Sequence, residues 1–176
     1  MNLRFRRSGL DFSRRRRKVN KTLAKEVGTW IGEIAIAVLF ALVLVYFVGY
    51  RTDVVGSSML GTLAEGDEVL VNRFVYKLTQ PKTNDIVVFF PNGNEKSHLY
   101  IKRVIGVPGD TVQIKNGTVY VNGKAFDEKI EAASIEHAEL AEDEIEVGED
   151  EFFVLGDNRN NSEDSRYANI GNVKDI

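Results

Sequence analysis

Apolar residues along this chain form one long block near the N-terminus and, after it, a series of short, separated runs. The long block extends from Trp30 to Tyr50, and residues 34–48 form an uninterrupted apolar stretch of 15. About 20 mostly apolar residues are enough for a helix to cross a bilayer. The pattern therefore predicts a transmembrane helix over residues 26–50. A buried helix in a soluble core is the alternative, but such cores rarely need so long an apolar block behind a cluster of arginines.

Beyond residue 51 the apolar runs have the length of strands, and Gly, Pro, Asn and Asp separate them. The pair Asn116-Gly117 stands between two of these runs and is a strong hairpin signal. Helical patterns do not intervene, so the expected fold class is mainly β, an N-terminal transmembrane helix followed by an antiparallel, barrel-like β domain. The predicted strands cover residues 68–72, 85–90, 100–105, 111–115, 118–121 and 151–155.

An acidic segment, residues 127–150, lies between the last two predicted strands. It holds eleven Asp and Glu residues. This composition predicts a solvated surface insertion, with a short helix around residues 132–141. A calcium loop would need a regular spacing of ligands, which the segment lacks. We therefore expect no metal site there.

Charge is distributed unevenly between the two ends of the chain. Residues 1–25 carry ten Lys or Arg and one acid, whereas the remainder carries 13 basic and 25 acidic residues. A basic tail could bind nucleic acid, but positive charges directly before a membrane-length block instead predict a cytoplasmic N-terminus. No small-x-small cleavage site follows the block. We expect a cytoplasmic tail (1–25), an uncleaved anchor (26–50), an extracytoplasmic domain (51–176), a lipid bilayer as partner, and no nucleic acid.

Two side chains are candidates for nucleophilic chemistry. Ser58 follows the apolar block closely, and Lys102 lies within the predicted strand 100–105. Strand alternation places Lys102 and Arg103 on opposite faces, so one of them shares its face with apolar neighbours, and the pattern does not say which. Burial lowers the pKa of a lysine, whereas an arginine stays charged. If one of the two is a base that activates a serine, it is Lys102.

Other nucleophilic sites are less well supported by the sequence. The chain has no cysteine, which excludes a cysteine nucleophile and a thiolate zinc site. A Ser-His-Asp triad with His98 or His137 is formally open, but neither histidine lies in a motif-like setting.

Three motifs, in this order behind an N-terminal anchor, resemble the type I signal peptidases, the membrane-anchored serine proteases that remove signal peptides. They are GSSMLGTL at residues 56–63, YIKRVIGVPGD at 100–110 and GDNRNNSEDSR at 156–166. A lysine in the base position resembles the bacterial branch of this family. The resemblance implies a membrane-anchored Ser/Lys endopeptidase of the bacterial cytoplasmic membrane that needs no cofactor.

The resemblance also implies a role for each residue of the site. Ser58 would be the nucleophile, Lys102 the general base, and Ser162 a hydrogen-bonding partner that orients the amine. The backbone N–H of Ser58 would form the oxyanion hole, without the serine hydroxyl that some members have at the position of Gly56. The supporting ionic residues would be Arg103, Asp157, Asp164 and Arg166, and the oxyanion or substrate contacts would be Gly56, Ser57, Met59, Tyr100 and Ile101.

The implied substrate is the end of a signal peptide with small residues one and three positions before the cut. It would lie extended against residues 53–56 and 99–102 and add a strand by backbone pairing. Only seven residues separate Tyr50 from Ser58, at most roughly 25 Å, so the nucleophile would work close to the membrane. The family usually has proline where Gly61 stands, which predicts a looser turn after the nucleophile, and usually continues through a further strand.

Two other functions are compatible with parts of this pattern. A self-cleaving repressor shares the Ser-Met and lysine arrangement, but it needs a DNA-binding domain and no anchor. A signal-peptidase-like chaperone or pilus-assembly factor would hold a substrate without cutting it. Loss of the serine or the lysine would mark such a protein, and both residues are present here.

Overall fold

The computed structural model describes residues 21–72, 74–94, 96–174 and 176. The predicted basic tail therefore lies outside the described residues up to residue 20. The chain divides into two compact units, one ending at Leu44 and the other comprising Val45–Ile176.

The first unit contains most of helix α1, Lys21–Val48. The side chains of residues 21–43 are exposed. By length and composition, α1 is the one helix in the described part of the chain that could cross a membrane. Its described part extends five residues beyond the N-terminal end of the predicted span, 26–50, and ends two residues before the predicted C-terminal end.

The described residues of the second unit form three antiparallel sheets. Its elements, in chain order, are β1 (Tyr50–Asp53), β2 (Glu68–Val71), α2 (Val75–Leu78), β3 (Ile86–Phe89), β4 (Tyr100–Gly106), β5 (Thr111–Lys115), β6 (Thr118–Val121), β7 (Lys124–Ala125), β8 (Ile145–Glu146) and β9 (Phe153–Leu155). Strands β1 and β2 pair with each other, a second sheet has the order β3-β4-β9, and a third has the order β7-β6-β5-β8. The predicted fold class, mainly β with antiparallel sheets and an N-terminal apolar helix, is confirmed.

The predicted hairpin is the connection between β5 and β6. Asn116 and Gly117 both have positive φ, 51° and 78°, as a tight two-residue hairpin turn requires. Strand β1 was not predicted. The sequence analysis assigned its first residue, Tyr50, to the end of the transmembrane helix and expected the first strand at residue 68. It forms a strand because it pairs with Val71 and the following residues pair with the rest of β2.

Strand β4 lies at the centre of the core. Its residues Ile105, Val104 and Ile101 belong to three different clusters of buried apolar side chains. Both faces of β4 are therefore covered. This answers the question that the alternation pattern left open, because both Lys102 and Arg103 are buried, with 3% and 7% of their surfaces exposed.

The acidic segment is only partly the solvated insertion that its composition predicted. Its acidic side chains are exposed except for that of Glu128, which is half-buried. However, Ile135, Ala141 and Val147 are buried in the same cluster as Ile105, so the prediction was wrong for these residues. The helical part is a single 3-10 turn, Glu139–Glu142. Burial of the few apolar residues fixes the backbone of the segment while the carboxylates stay in water.

Candidate active site

Ser58 and Lys102 are brought together from two distant parts of the sequence. Lys102 Nζ lies 2.7 Å from Ser58 Oγ, in hydrogen-bonding contact. Ser58 stands in the turn that follows β1, and β4 supplies Lys102. The next residue, Met59, is buried together with Val54 and Ile101. This packing holds residues 56–63, here called the serine turn, against β4.

The environment of Lys102 favours its neutral form. Removal of the amine from water lowers its pKa to about 8, and the positive charge of Arg166 acts in the same direction. The nearby negative charges of Asp164 and Glu163 oppose this shift. A lysine with this pKa is partly deprotonated near neutral pH and can therefore accept a proton from a serine hydroxyl.

On the opposite face of β4, Arg103 binds the carboxylate of Asp157 with two parallel hydrogen bonds. Nε donates to Oδ1 at 2.8 Å and an Nη2 proton goes to Oδ2 at 2.7 Å. Thr62 Oγ1 donates to the same Oδ2 at 2.6 Å. The buried carboxylate of Asp157, in the loop after β9, therefore binds both β4, through Arg103, and the serine turn, through Thr62. The role of Thr62 was missed by the sequence reasoning, although the residue lies within the serine motif.

Asp164 and Arg166 form a second, separate ion pair. Arg166 Nε donates to Asp164 Oδ1 at 2.7 Å and Nη2 to Oδ2 at 2.9 Å. Arg166 also donates to the backbone carbonyls of Arg159 and Ser162, and Gly156 N–H donates to Asp164 Oδ2. The expected ionic scaffold therefore consists of two pairs, Arg103–Asp157 and Asp164–Arg166, on two sides of Lys102.

Ser162 does not make the contact that the resemblance implied. Its Oγ is buried and has no hydrogen-bond partner among the described residues. The hydrogen bond of Lys102 Nζ is made with Ser58 Oγ instead. Ser162 nevertheless lies beside the serine turn, because a Cβ added at Gly156 would come within 2.5 Å of both Ser162 Cβ and the Ser58 carbonyl oxygen.

The serine turn is held against the loop after β9 by hydrogen bonds from two asparagines, Asn158 and Asn161. Asn158 N–H donates to Ser58 O at 3.0 Å, and Asn158 Nδ2 donates to Ser57 O at 3.0 Å. Asn161 Nδ2 donates to Ser57 Oγ at 2.9 Å. These contacts fix both carbonyls next to the nucleophile. Neither asparagine was assigned a role from the sequence, since both stand in a loop of polar residues without periodicity.

Two glycines shape the turn around Ser58. Gly56 has a φ of 85° and Gly61 a φ of 108°, a region that favours glycine. Proline holds φ near about −65°, so it does not fit the conformation that Gly61 adopts here. Glycine at position 61, where the family usually has proline, therefore fits the positive φ that the backbone of this chain adopts there.

The remaining predicted residues surround the Ser58–Lys102 contact. Tyr100 shares the face of Lys102, and Lys102 Nζ lies 5.1 Å from the centroid of its ring. The backbone N–H of Ser58 donates no hydrogen bond within the described part of the protein, so it is available to a substrate oxygen.

His98 and His137 are exposed, and neither side chain bonds to a described residue. The geometry does not favour the triad alternative.

Arg159 and Glu128 form a further buried contact that the sequence reasoning did not identify. Arg159 is 1% exposed. Its Nη1 donates to Glu128 Oε1 at 2.6 Å, and its Nε donates to Gly156 O. The acidic segment therefore supports the loop after β9. No sequence signal joins the two residues, because they are 31 positions apart and their burial depends on the fold.

Comparison with known proteins gives a consistent result. The sequence model of the family described as signal peptidase, peptidase S26, matches residues 27–176. The chain is 39% identical to signal peptidase I P of Bacillus subtilis subsp. natto over 84% of this chain and 83% of that protein. It is 40% identical to signal peptidase I T of Bacillus subtilis strain 168 over 83% of this chain and 80% of that protein.

Among solved structures, a signal peptidase I from Enterococcus faecalis V583 matches with a TM-score of 0.42 and 32% identity, covering 55% of this chain and 91% of that one. The family match extends over most of the chain, and so do the Bacillus relatives. The three motifs lie in the matched region. The chain therefore belongs to the signal peptidase family, peptidase S26, as its motifs predicted, and is a serine endopeptidase of the type I class.

Proposed function

We propose that this protein removes N-terminal signal peptides from exported preproteins, with Ser58 as nucleophile and Lys102 as general base. One observation carries the proposal, namely the buried amine of Lys102 at 2.7 Å from Ser58 Oγ in a chain of this family. The burial supplies a neutral base, and the short distance lets it take the serine proton directly.

The proposed reaction is acyl transfer in two steps. Neutral Lys102 takes the proton of Ser58 Oγ while this oxygen attacks the carbonyl carbon of the scissile bond. The free N–H of Ser58 stabilises the developing oxyanion. The protonated amine then gives its proton to the leaving nitrogen, which leaves an ester on Ser58. Lys102, neutral again, activates the water that hydrolyses this ester.

The supporting residues keep the two reacting atoms in place. The pair Arg103–Asp157, joined by Thr62, fixes the serine turn relative to β4. The pair Asp164–Arg166 fixes the loop that carries Ser162. We keep Ser162 as a positioning residue, because its buried hydroxyl lies next to the serine turn and has donor and acceptor capacity to spare.

The proposed substrate path follows the free side of β4. Strand β3 pairs with residues Tyr100 to Arg103, whereas on the other side β9 pairs only from Arg103 onward. Residues Tyr100 to Lys102 therefore have no strand partner on that side within the described part of the chain, which leaves room for an extended peptide. A cavity of about 900 Å³ lined largely by apolar side chains, among them Leu63, Val88 and Ile101, lies next to this strand.

We further propose that α1 anchors the protein in the bacterial cytoplasmic membrane with residues 1–25 in the cytoplasm and residues 51–176 outside it. Apolar side chains on all sides of α1 are exposed, Trp30 and Ile36 by 70% each. A helix of this kind is stable in lipid rather than in water. The ten basic residues before it support the orientation.

Incubation of the detergent-solubilised full chain with a synthetic signal peptide that carries alanine at one and three positions before the cut tests the function. We expect cleavage directly after the second alanine, mapped by mass spectrometry. A matched peptide with leucine at both positions should stay intact, because the family resemblance implies a substrate with small residues at these two positions. Failure to cleave the alanine peptide would contradict the proposal and favour a protein that holds signal peptides without cutting them.

The pH dependence of cleavage follows from the pKa of about 8 for Lys102. Only the neutral amine is a base, so kcat/KM should rise through neutral pH, reach half its maximum near pH 8 and level off at alkaline pH. Because the ordinary lysine pKa is roughly 10.4, the unfolded chain binds more protons here between the two values, and stability should also rise with pH in that window. A rate that is flat from about pH 5 to about pH 10 would exclude Lys102 as the base.

A further inference from the structure

Glu163 is an acid next to the site for which the proposed reaction gives no role. Its side chain is exposed, but both carboxylate oxygens are held. The hydroxyl of Tyr100 donates to Oε2 at 2.7 Å, and Asn169 Nδ2 donates to Oε1. No cation within the described residues pairs with it. Glu163 is therefore a fixed negative charge without a charged partner.

The residue that holds Glu163 also lies against the lysine. Tyr100 is two positions before Lys102 on the same face of β4, and Lys102 Nζ lies 5.1 Å from its ring centroid. The ring of Phe89 packs against that of Tyr100 with centroids 6.1 Å apart. Since the ring is fixed, the hydroxyl and the carboxylate bound to it keep a constant position relative to the amine.

The other charges around Lys102 largely oppose one another. Asp164 favours the protonated amine, but it is paired with Arg166, which disfavours it. Arg103 points to the opposite face of β4, where Asp157 neutralises it. Besides Asp164, Glu163 is the negative group that acts on the amine. Removal of the Glu163 charge should therefore leave the Asp164–Arg166 pair, whose two charges oppose each other, as the main charged neighbour of Lys102.

We propose that Glu163 is a positioning residue for the general base: its carboxylate, held beside the amine by Tyr100 and Asn169, favours protonated Lys102 and moves the onset of protease activity to slightly higher pH. The proposal rests on the proposed function, in which Lys102 is the base. The interaction is reciprocal, because Lys102 also contributes to lowering the pKa of Glu163, after the hydrogen bonds from Tyr100 and Asn169. Exposure of Glu163 weakens the effect by screening but does not abolish it at low ionic strength.

The variant Glu163→Gln tests this inference, since it removes the charge and keeps an oxygen that can accept the hydrogen bond from the Tyr100 hydroxyl. We expect the acid side of the kcat/KM profile to move to lower pH by a few tenths of a unit, roughly the effect of one partly screened charge, and to return toward the wild-type position in about 1 M salt. Tyr100→Phe keeps the charge and the ring but removes one of the two hydrogen bonds that hold the carboxylate, so it should give a smaller shift in the same direction.

Glu149→Gln serves as the matched control, because Glu149 is an exposed acid of the acidic segment and is not among the charges that act on Lys102. It should leave the profile in place. Titration of the Lys102 Cε shift by NMR in the Ser58→Ala protein, with isotope-labelled lysine, measures the same shift without catalysis. An unchanged midpoint in Glu163→Gln would overturn the inference while leaving the proposed function intact. Full activity of Lys102→Met would instead overturn the proposed function.

Discussion

Replacement of Ser58 by alanine, or of Lys102 by methionine, is expected to lower kcat/KM for signal-peptide cleavage by at least about 10³-fold. The first variant removes the attacking oxygen, and the second removes the base that lies 2.7 Å from it. Because the two groups act as a unit, the double variant should be no slower than the slower single variant. Initial rates on the alanine-x-alanine peptide measure the loss.

Lys102→Met should not unfold the protein, because it replaces a buried amine by an apolar side chain of similar length. Its melting temperature is expected to equal or exceed that of the wild type. Lys102→Arg should be as inactive as the methionine variant, since a guanidinium does not release its proton. Lys115→Met, at an exposed lysine of β5, is the matched control and should keep full activity. Cleavage at the wild-type rate by Ser58→Ala or Lys102→Met would eliminate the proposed pair.

The second large effect is expected at Gly156, a residue with no functional group. A Cβ built there would lie 2.2 Å from Ser162 Oγ and 2.5 Å from both Ser162 Cβ and the carbonyl oxygen of Ser58. Such contacts are far inside van der Waals distance, so the serine turn and the loop after β9 must separate. Gly156→Ala should therefore displace Ser58 from Lys102 and reduce kcat/KM by about 10²-fold or more, with a loss of stability of roughly 1–3 kcal/mol.

The variant Gly28→Ala is a suitable comparison, because a Cβ at this glycine of α1 meets no atom within 4 Å. It should leave both activity and melting temperature unchanged. The double variant Gly156→Ala with Ser162→Ala relieves the contact with the hydroxyl but not the contact with the Ser58 carbonyl. It should regain only part of the lost stability. Wild-type activity and melting temperature in Gly156→Ala would show that the close approach is not essential.

Strands with a clear local pattern were predictable from the chain alone. The runs that became β3, β4, β5 and β6 combine β-branched residues with flanking turn residues, and Asn116-Gly117 joins two of them. The very short strands β7 and β8 were not predicted. They have two residues each and exist because β6 and β5 offer unpaired backbone groups beside them. No pattern of side chains marks a strand of this length.

The acidic segment shows a second limit of local pattern. Its composition correctly indicated that the carboxylates stay in water, but it concealed the apolar residues that pack into the core and the ion pair between Glu128 and Arg159. These contacts depend on which strand the segment passes over. The strand on which the segment packs is determined by the tertiary structure and cannot be derived from the local composition.

Motif order and residue chemistry in the sequence were sufficient to establish the family, the mainly β fold and the pair of residues to examine. Alternation along β4 could not tell whether Lys102 or Arg103 was buried, because the pattern describes one strand and not what covers its two faces. The folded chain covers both faces and gives Arg103 a carboxylate in Asp157, whereas Lys102 forms no salt bridge with any residue that the structure describes. The physical reason is that a lysine becomes neutral through loss of water on all sides, and only packing by residues distant in sequence removes that water.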